Sequence, residues 1–378
     1  MAEAKPRPRL LYVVTEDWFF ASHFLPMARA AMALGYEVAV ATRVRDHEAA
    51  IAAEGVRVLP VASDRGGLRP AALANDIARL ASLMYQEQPD LVHCIALRSI
   101  VVGGLAAEWA GITKAIFAVT GLGHVWVSRT MGARIARWMI RRVVKRLRRP
   151  GSRFLFENHD DPAALGLPAE GSDVAFVPGA GVDPQLFVPA PEPDEPPLRT
   201  ALVSRMLRAK GVDTAVSAVK QLRADGVDVT LDLYGLPDPD NPATVGEDEL
   251  RAWGALDGIS WHGRSADVPA IWRGAHVALA PSRYREGIPR AIVEAMASGR
   301  PLVTTDVPGC RELIRDGVDG LIVPKDDPTA LAAAIRRLVG DPDARRRMGE
   351  AARQRFEEGF SESVVVERIS ALYRSFLG

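Results

Sequence analysis

Residues 277–299 read VALAPSRYREGIPRAIVEAMASG, and the pattern of this stretch decides the fold. Val277–Ser282 has the form of a short apolar strand leaving its sheet. Arg283–Gly287 is a polar loop, Pro289 opens a helix, and Gly299 closes it. Proline suits the first helical turn and glycine the position just past the last. Glu286 lies immediately ahead of that helix, where unpaired backbone N–H groups and the positive end of the dipole attract oxygen-rich or anionic ligands. Glu294 lies on the helix itself, two turns away at most, so one ligand spanning about 10 Å could touch both carboxylates. The same spacing also describes a solvated loop carboxylate with an exposed helix glutamate.

Outward from this unit, the same alternation fills the chain. On the N-terminal side, Leu10–Thr15 is a nearly continuous apolar run of the kind buried on both faces of a parallel sheet. A helix containing Leu25–Leu34 follows and ends at Gly35. Strand-like runs recur at Glu37–Thr42, Val56–Val61, Leu91–Ile95, Lys114–Thr120, Arg153–Glu157 and Val174–Pro178, mostly separated by helical segments such as Pro70–Gln88. Pro189–Pro197, PAPEPDEPP, is too acidic and proline-rich to be an element and reads as a stiff linker. The pattern then restarts, with strands at Thr200–Ser204, Val229–Tyr234, Ile259–His262, Val277–Pro281, Pro301–Thr305 and Gly320–Val323. Helices are expected at Val212–Ala224, Glu247–Ala255, Ile288–Ala297, Thr329–Val339 and Asp343–Glu358. The expected architecture is α/β: two Rossmann-like, doubly wound parallel-sheet domains facing a central cleft. Their expected bounds are 1–190, a linker at 191–198, 199–360, and a C-terminal helix within 361–378 that returns to the first domain.

The chain has 378 residues, 48% apolar and 25% charged, with zero formal net charge. That length suits two domains, each with its own core, and the neutral balance argues against general nucleic-acid binding. Cys94 and Cys310, both in or beside apolar segments, read as buried thiols in a reducing compartment rather than a disulfide. The opening MAEAKPRPRLLYVV has neither the apolar core nor the cleavage site of a signal peptide. No run approaches the roughly 18–20 apolar residues of a membrane span. The expectation is a cytoplasmic protein.

The second half opens on LVSRMLRAKGVD, residues 202–213. Arg205 falls at the end of a strand and Lys210 five residues later, just before a helix. Two cations at a strand mouth beside a helix N-terminus suit a diphosphate, or form an ordinary basic loop.

Three segments together carry a specific resemblance: SRMLRAKG, EGIPRAIVE with a glutamate at each end, and PLVTTDVPGCRELIRDGVDGLIVP. They resemble the donor half of the retaining nucleotide-sugar glycosyltransferases of family 4, which have the GT-B fold. In the first half FFASHFLPMARAAMALGYEVAVAT, PDLVHC, VTGLGHVW and VPGAGVDPQLF are similar to a narrower group. That group is the bacterial transferases that extend undecaprenyl-diphosphate-linked sugars for O-antigen, capsule or glycoprotein glycans.

The resemblance implies roles. Glu286 would sit beside the donor sugar, and the amides of Gly287, Ile288 and Arg290 would hold its hydroxyls; Pro289 has no amide hydrogen to give. Glu294 would accept hydrogen bonds from the ribose. Arg205 and Lys210 would grip the departing diphosphate, so that, with Glu286, they form the catalytic set. Glycosyl transfer passes through an oxocarbenium-like state and expels a nucleoside diphosphate, so stabilising the leaving charge is the main demand. Two fixed cations and a helix dipole meet it without a metal. The Asp-x-Asp segments Asp238–Asp240 and Asp341–Asp343 lie beside prolines and read as turns and caps rather than metal ligands.

The chain also departs from the family pattern. TEDWFFASH replaces the glycine-rich loop that many members carry after the first strand. His93 is followed by Cys94 and Ile95 where many members place a second histidine. His93, His23 and His124 therefore all remain candidates for contact with the donor sugar, or packed neutral histidines. Gly121 and Gly123 begin a dinucleotide fingerprint whose third glycine is replaced by Trp126, so a tight turn fits better than an NAD site. Trp18, Phe19 and Phe20 line the acceptor groove or pack beneath it.

Residues 126–149, WVSRTMGARIARWMIRRVVKRLRR, hold nine Arg or Lys from Arg129 to Arg149 and no acid. Ile135, Trp138, Met139, Val143 and Leu147 fall near helical spacing and read as one apolar face. Arg134, Arg137, Arg141, Arg142, Lys145 and Arg146 supply the charge. A basic helix with an aromatic apolar face is drawn to anionic lipid and lipid diphosphates, or is core-packed with a solvated face.

The expectation is a metal-independent retaining glycosyltransferase, peripheral on the inner face of the cell membrane. It would move a UDP-linked hexose or N-acetylhexosamine to a polyprenyl-diphosphate-linked glycan. The alternatives are a sugar-nucleotide epimerase of the same fold and an inert sugar-nucleotide-binding partner in a glycan assembly complex.

Overall fold

The computed structural model describes residues 7–61, 70–194, 196–239, 241 and 243–377, without the side chains of Pro70, His124 and Val127. The chain forms two compact units, Met1–Ala180 with Glu362–Gly378, and Gly181–Ser361.

The first unit is built on β1 (Arg9–Glu16), β2 (Glu37–Arg43), β3 (Arg57–Pro60), β4 (Leu91–Ile95), β5 (Ala115–Val119), β6 (Ser152–Phe156) and β7 (Val174–Phe176). They pair in the order β3-β2-β1-β4-β5-β6-β7, every ladder parallel. All five residues of β4 and of β5 are buried, as a sheet covered on both faces requires. Alternate residues feed two cores. Leu11, Val13, Val92, Cys94 and Phe117 face one side, and Leu10, Tyr12, Val14, Ile95 and Ile116 the other.

The C-terminal helix Glu362–Arg374 completes the second of those cores with Val365, Ile369 and Tyr373. The Tyr373 hydroxyl lies 2.5 Å from that of Tyr12 and 3.0 Å from Nδ1 of His93. The Lys114 ammonium donates to the Phe376 carbonyl at 2.7 Å.

The second unit holds β8 (Leu198–Val203), β9 (Val229–Tyr234), β10 (Ile259–Gly263), β11 (Val277–Ala280), β12 (Leu302–Thr305) and β13 (Gly320–Val323). Their order is β10-β9-β8-β11-β12-β13, again all parallel. In each sheet the order reverses once, between β1 and β4 and between β8 and β11. Ligands of doubly wound sheets bind outside the carboxyl ends of strands at such switch points.

The proline-rich segment expected as a stiff linker is bound to the second unit. Glu192 forms a two-pronged pair with the buried Arg345, both bonds 2.8 Å. The Pro193 carbonyl meets Nε2 of His276 at 2.9 Å, and the Pro191 carbonyl accepts from Arg300 at 3.1 Å. Buried cations need such acceptors, and a proline-rich strand offers carbonyls that no sheet has claimed. The packing boundary falls at Ala180/Gly181, before this segment.

The basic helix spans Met131–Leu147, N-capped by Thr130, whose hydroxyl accepts from the Ala133 amide at 3.2 Å. Its core-facing stripe is Ala136, Ile140, Val144 and Leu147. The single apolar face expected from the sequence is therefore two faces: Leu147 and Val143 pack inward, whereas Ile135, Trp138 and Met139 are exposed.

Candidate active site

Two loops meet at the β8/β11 switch point. The first leaves β8 through Ser204 and Arg205, turns through the short 3-10 helix Arg208–Lys210, and enters the helix Val212–Ala224. The second leaves β11 at Pro281 and enters the helix Arg290–Ala297, with Pro289 as its N-cap rather than its first residue. Gly211 makes their approach possible. Its φ is +69°, and a Cβ there would lie 2.0 Å from the Pro281 carbonyl oxygen.

The loops are then tied by side chains. The Lys210 ammonium pairs with Oε2 of Glu286, and the Ser282 hydroxyl donates to Oε1 at 2.5 Å. Arg283 donates to the Arg208 carbonyl at 3.1 Å, to Asp213 at 2.9 Å and to the Thr214 hydroxyl at 3.0 Å. Its own amide bonds the Ala209 carbonyl at 2.9 Å. Glu286 is thus half-buried and oriented from two sides. Arg205, the other cation expected at the diphosphate, is 48% exposed and points to Asp238 at 2.6 Å. Both cations therefore carry a carboxylate partner.

Beneath the Glu286 loop, Gly309 at φ +87° would place a Cβ 1.8 Å from the Gly287 carbonyl oxygen, so no other residue fits there unchanged. The Pro308 carbonyl accepts from the Glu286 amide at 3.3 Å. Cys310, next in the chain, is a free buried thiol. Burial and the neighbouring Glu286 push its pKa up to about 12. Cys94 is likewise free and buried.

Glu294 is not an exposed helix glutamate. It is 7% exposed, and burial raises its pKa although Arg290 donates to it at 2.8 Å. Gly287, Ile288 and Arg290 stand between the two carboxylates at the mouth of the helix.

The first unit carries the remaining candidates. Trp18, Phe19 and His23 lie on the short helix Asp17–His23 that leaves β1, all part-buried, with the Phe19 and His23 rings 4.6 Å apart. Asp17 beneath them is wholly buried. It accepts backbone bonds from Arg45 and His47 at 2.7 and 3.0 Å, which hold its carboxyl below its usual range against the opposing effect of burial. Phe20 is core. His93 is also core: it is 0% exposed and stacks on Tyr12, and burial lowers its pKa to about 3. That placement takes His93 out of reach of a ligand. Gly121 and Gly123 both have positive φ and form the turn ahead of the helix Gly123–Val127. The side chain of His124 lies outside the described residues.

Of the two Asp-x-Asp segments, Asp341 caps the helix Pro342–Gly359 through the Ala344 amide at 2.8 Å, and Asp343 pairs with Arg346. Asp238 serves Arg205, and Asp240 lies outside the described residues.

Ser282, Arg283 and Asp238 were not singled out from the sequence as ligand-site residues. A serine at the tip of a strand four residues before Glu286 is the signal available for the first. The other two show only once β8 and β11 are known to be neighbours.

Similarity to known proteins agrees with this arrangement. The family described as "Glycosyl transferase 4-like" matches residues 9–149, and "Glycosyl transferases group 1" matches residues 198–341, together about three quarters of the chain. Over 333 residues the chain is 24% identical to the N,N'-diacetylbacillosaminyl-diphospho-undecaprenol alpha-1,3-N-acetylgalactosaminyltransferase of Campylobacter jejuni, covering 84% of this chain and 86% of that one. It is 24% identical to the putative glycosyltransferase EpsD of Bacillus subtilis, covering 98% and 97%. The Anabaena protein HepE, solved with UDP and glucose, has the same fold at a TM-score of 0.77 and 17% identity, covering 97% and 99%. The two parallel-sheet units described above are the two glycosyltransferase domains, and the chain belongs to the family 4 glycosyltransferases of GT-B fold.

Proposed function

We propose that the chain transfers a sugar, with retention of configuration and without a metal, from a nucleotide-diphospho-sugar to a lipid-linked glycan. The observation that carries this reading is the Lys210–Glu286–Ser282 cluster at the β8/β11 switch point, with Arg205 at the mouth of β8. A departing diphosphate needs fixed positive charge where negative charge develops, and Lys210 and Arg205 supply it. Glu286, oriented by two donors, faces the positive charge that grows at the anomeric carbon. The amides of Gly287, Ile288 and Arg290 take sugar hydroxyls, and Glu294 takes the ribose diol.

Support for the acceptor comes from the Campylobacter relative, named for an undecaprenyl-diphosphate-linked acceptor, and from relatives named for capsule and colanic acid synthesis. A UDP-linked hexose or N-acetylhexosamine fits both that name and the UDP of the HepE structure. In this reading Trp18 and Phe19 belong to the acceptor side, and His23, Gly121, Gly123 and His124 are the candidates for contact with the donor sugar or the acceptor. A lipid-linked acceptor places the working protein against the anionic inner face of the cell membrane. No helix of the described residues is long and apolar enough to cross a membrane.

The test is turnover of a panel of nucleotide sugars with a polyprenyl-diphosphate-sugar acceptor in detergent, with product anomeric configuration read by NMR. Transfer with retention supports the reading. Inversion, or epimerisation of the nucleotide sugar without transfer, overturns it.

A further inference from the structure

The helix Met131–Leu147 has an outward face that does not match its inward one. Ala136, Ile140, Val144 and Leu147 fill the core. Opposite them Met131, Ile135, Trp138 and Met139 are 65, 53, 60 and 51% exposed. Their spacing, i, i+4, i+7 and i+8, makes one stripe about two turns long. Further along the same outward face the apolar residues stop, and Arg142, Lys145 and Arg146 take their place.

The cations are not equivalent. Arg146 is committed to Glu108 through two bonds of 2.9 and 3.1 Å. Arg137 donates to the Val125 and Ser128 carbonyls, Arg141 to the Ala164 carbonyl, and Arg148 to Asp173. Arg134, Arg142 and Lys145 are exposed and carry no ion pair among the described residues. Arg142 also lies over the Trp138 ring at 5.3 Å, linking the apolar half to the cationic half.

We infer that Met131, Ile135, Trp138 and Met139 form a membrane anchor that inserts into the interface of an anionic bilayer, with Arg134, Arg142 and Lys145 at headgroup level. This rests on the lipid-linked-acceptor reading and names the surface that meets the lipid. A helix meeting lipid in this way buries its apolar side chains among acyl chains while neighbouring cations bind anionic headgroups. A second copy of the chain is a poorer occupant. A two-fold dimer on this stripe would bring the acid-free cationic face against itself.

The experiment compares the full chain with an Ile135→Ser/Trp138→Ser/Met139→Ser variant and an Arg134→Gln/Arg142→Gln/Lys145→Gln variant. All six side chains are exposed, so melting temperatures are expected to match wild type. Co-sedimentation uses phosphatidylcholine vesicles with and without phosphatidylglycerol, across a salt series. Wild type should bind the anionic vesicles and keep part of that binding at salt that screens charge. The serine variant should bind about tenfold or more weakly and lose the salt-resistant part. The glutamine variant should lose the preference for phosphatidylglycerol. In wild type minus Trp138→Phe difference spectra, brominated lipid should quench the Trp138 emission.

Wild-type binding that salt abolishes, equal in the serine variant, overturns the anchor and leaves an electrostatic surface. Concentration-dependent dimerisation without lipid, lost in the serine variant, assigns the stripe to a second copy and also overturns it. Failure of transfer to the lipid-linked acceptor in detergent, where no bilayer is needed, removes the acceptor reading separately.

Discussion

Lys210 and Glu286 meet side chain to side chain although 76 residues separate them, because β8 and β11 are adjacent in the sheet. The pair has a chemical consequence. An ammonium held beside a carboxylate is retained in position while the site lacks a polyanion, and a diphosphate arriving there gains a cation already in place. Preorganised charge of this kind acts without reorganisation when the bond breaks.

Lys210→Ala is therefore expected to reduce kcat strongly, on the order of 3 kcal/mol in the barrier. Near wild-type turnover at saturating donor would remove Lys210 from the leaving-group site. Arg205 behaves differently because it must leave Asp238. Their pair is part-exposed and worth at most about 1 kcal/mol. Asp238→Asn should release Arg205 and lower the donor KM, whereas Arg205→Ala should raise it and lower kcat. A higher KM in Asp238→Asn would mean that Asp238 aims Arg205 rather than competing for it.

Ser282 is 3% exposed, and its hydroxyl donates to Oε1 of Glu286 at 2.5 Å. Ser282→Ala removes a hydrogen bond to a charged group, typically about 1.5–3 kcal/mol. The expected signature is a fall in kcat of about ten- to a hundredfold with the donor KM little changed, because the carboxylate stays but loses its aim. Unchanged kcat with a lower melting temperature would make the serine structural only.

Much of this was legible in the sequence, for identifiable reasons. Continuous apolar runs mark strands buried on both faces, so β4, β5 and β8 could be placed to within two residues. The helix carrying Glu294 was bracketed by Pro289 and Gly299. Strand order is not written in any local pattern, so the tie of Arg283 to Asp213 and the partner of Arg205 could not be read. Nor could the two-sided character of the helix Met131–Leu147. Ile135, Trp138, Val143 and Leu147 all sit near helical spacing, and only the packing decides which of them meet the core. The acidic, proline-rich composition of Pro189–Pro197 suggested a stiff linker. It did not reveal that Arg345, Arg300 and His276 would bind its carboxylate and carbonyls.

Turnover should persist in excess chelator if Lys210 and Arg205 neutralise the leaving diphosphate. Among the described residues no group of three or more His, Cys, Asp or Glu is placed to hold a metal ion. Complete loss on chelation, restored by magnesium or manganese, would reject a metal-free leaving-group site.

Glu294 predicts a conflict between stability and binding. Burial raises its pKa above the ordinary 4.5, so the folded chain binds this proton more tightly than the unfolded chain. Stability then falls as pH rises from about 4.5 through the raised value, because the unfolded state ionises more readily. Glu294→Gln should lack this penalty, melting close to wild type near pH 4.5 and no lower at neutral pH. If Glu294 holds the ribose diol, the same variant should bind the nucleotide more weakly. A variant that melts well below wild type at neutral pH would show that the Arg290 pair outweighs the burial cost.

His93 gives the opposite pH dependence. Its pKa is lowered from 6.5 to about 3 because it is wholly buried between Tyr12 and Tyr373, so the folded chain holds it neutral. The unfolded state binds the proton more readily. The stability due to neutral His93 is therefore present above about pH 6.5 and is lost as pH falls towards 3. Keeping the ring neutral costs about 1.4 kcal/mol for every pH step below the unfolded value, so the loss near pH 5 is about 2 kcal/mol. His93→Phe keeps an aromatic ring and removes the titration, at the cost of one of the Tyr373 hydroxyl's two partners. Its stability should be lower than wild type at neutral pH and should fall less steeply on acidification. Thermal melts across this range decide it. Equal acid slopes in both proteins would mean that His93 reaches solvent and titrates, and His93 would then return to the set of residues able to contact a ligand.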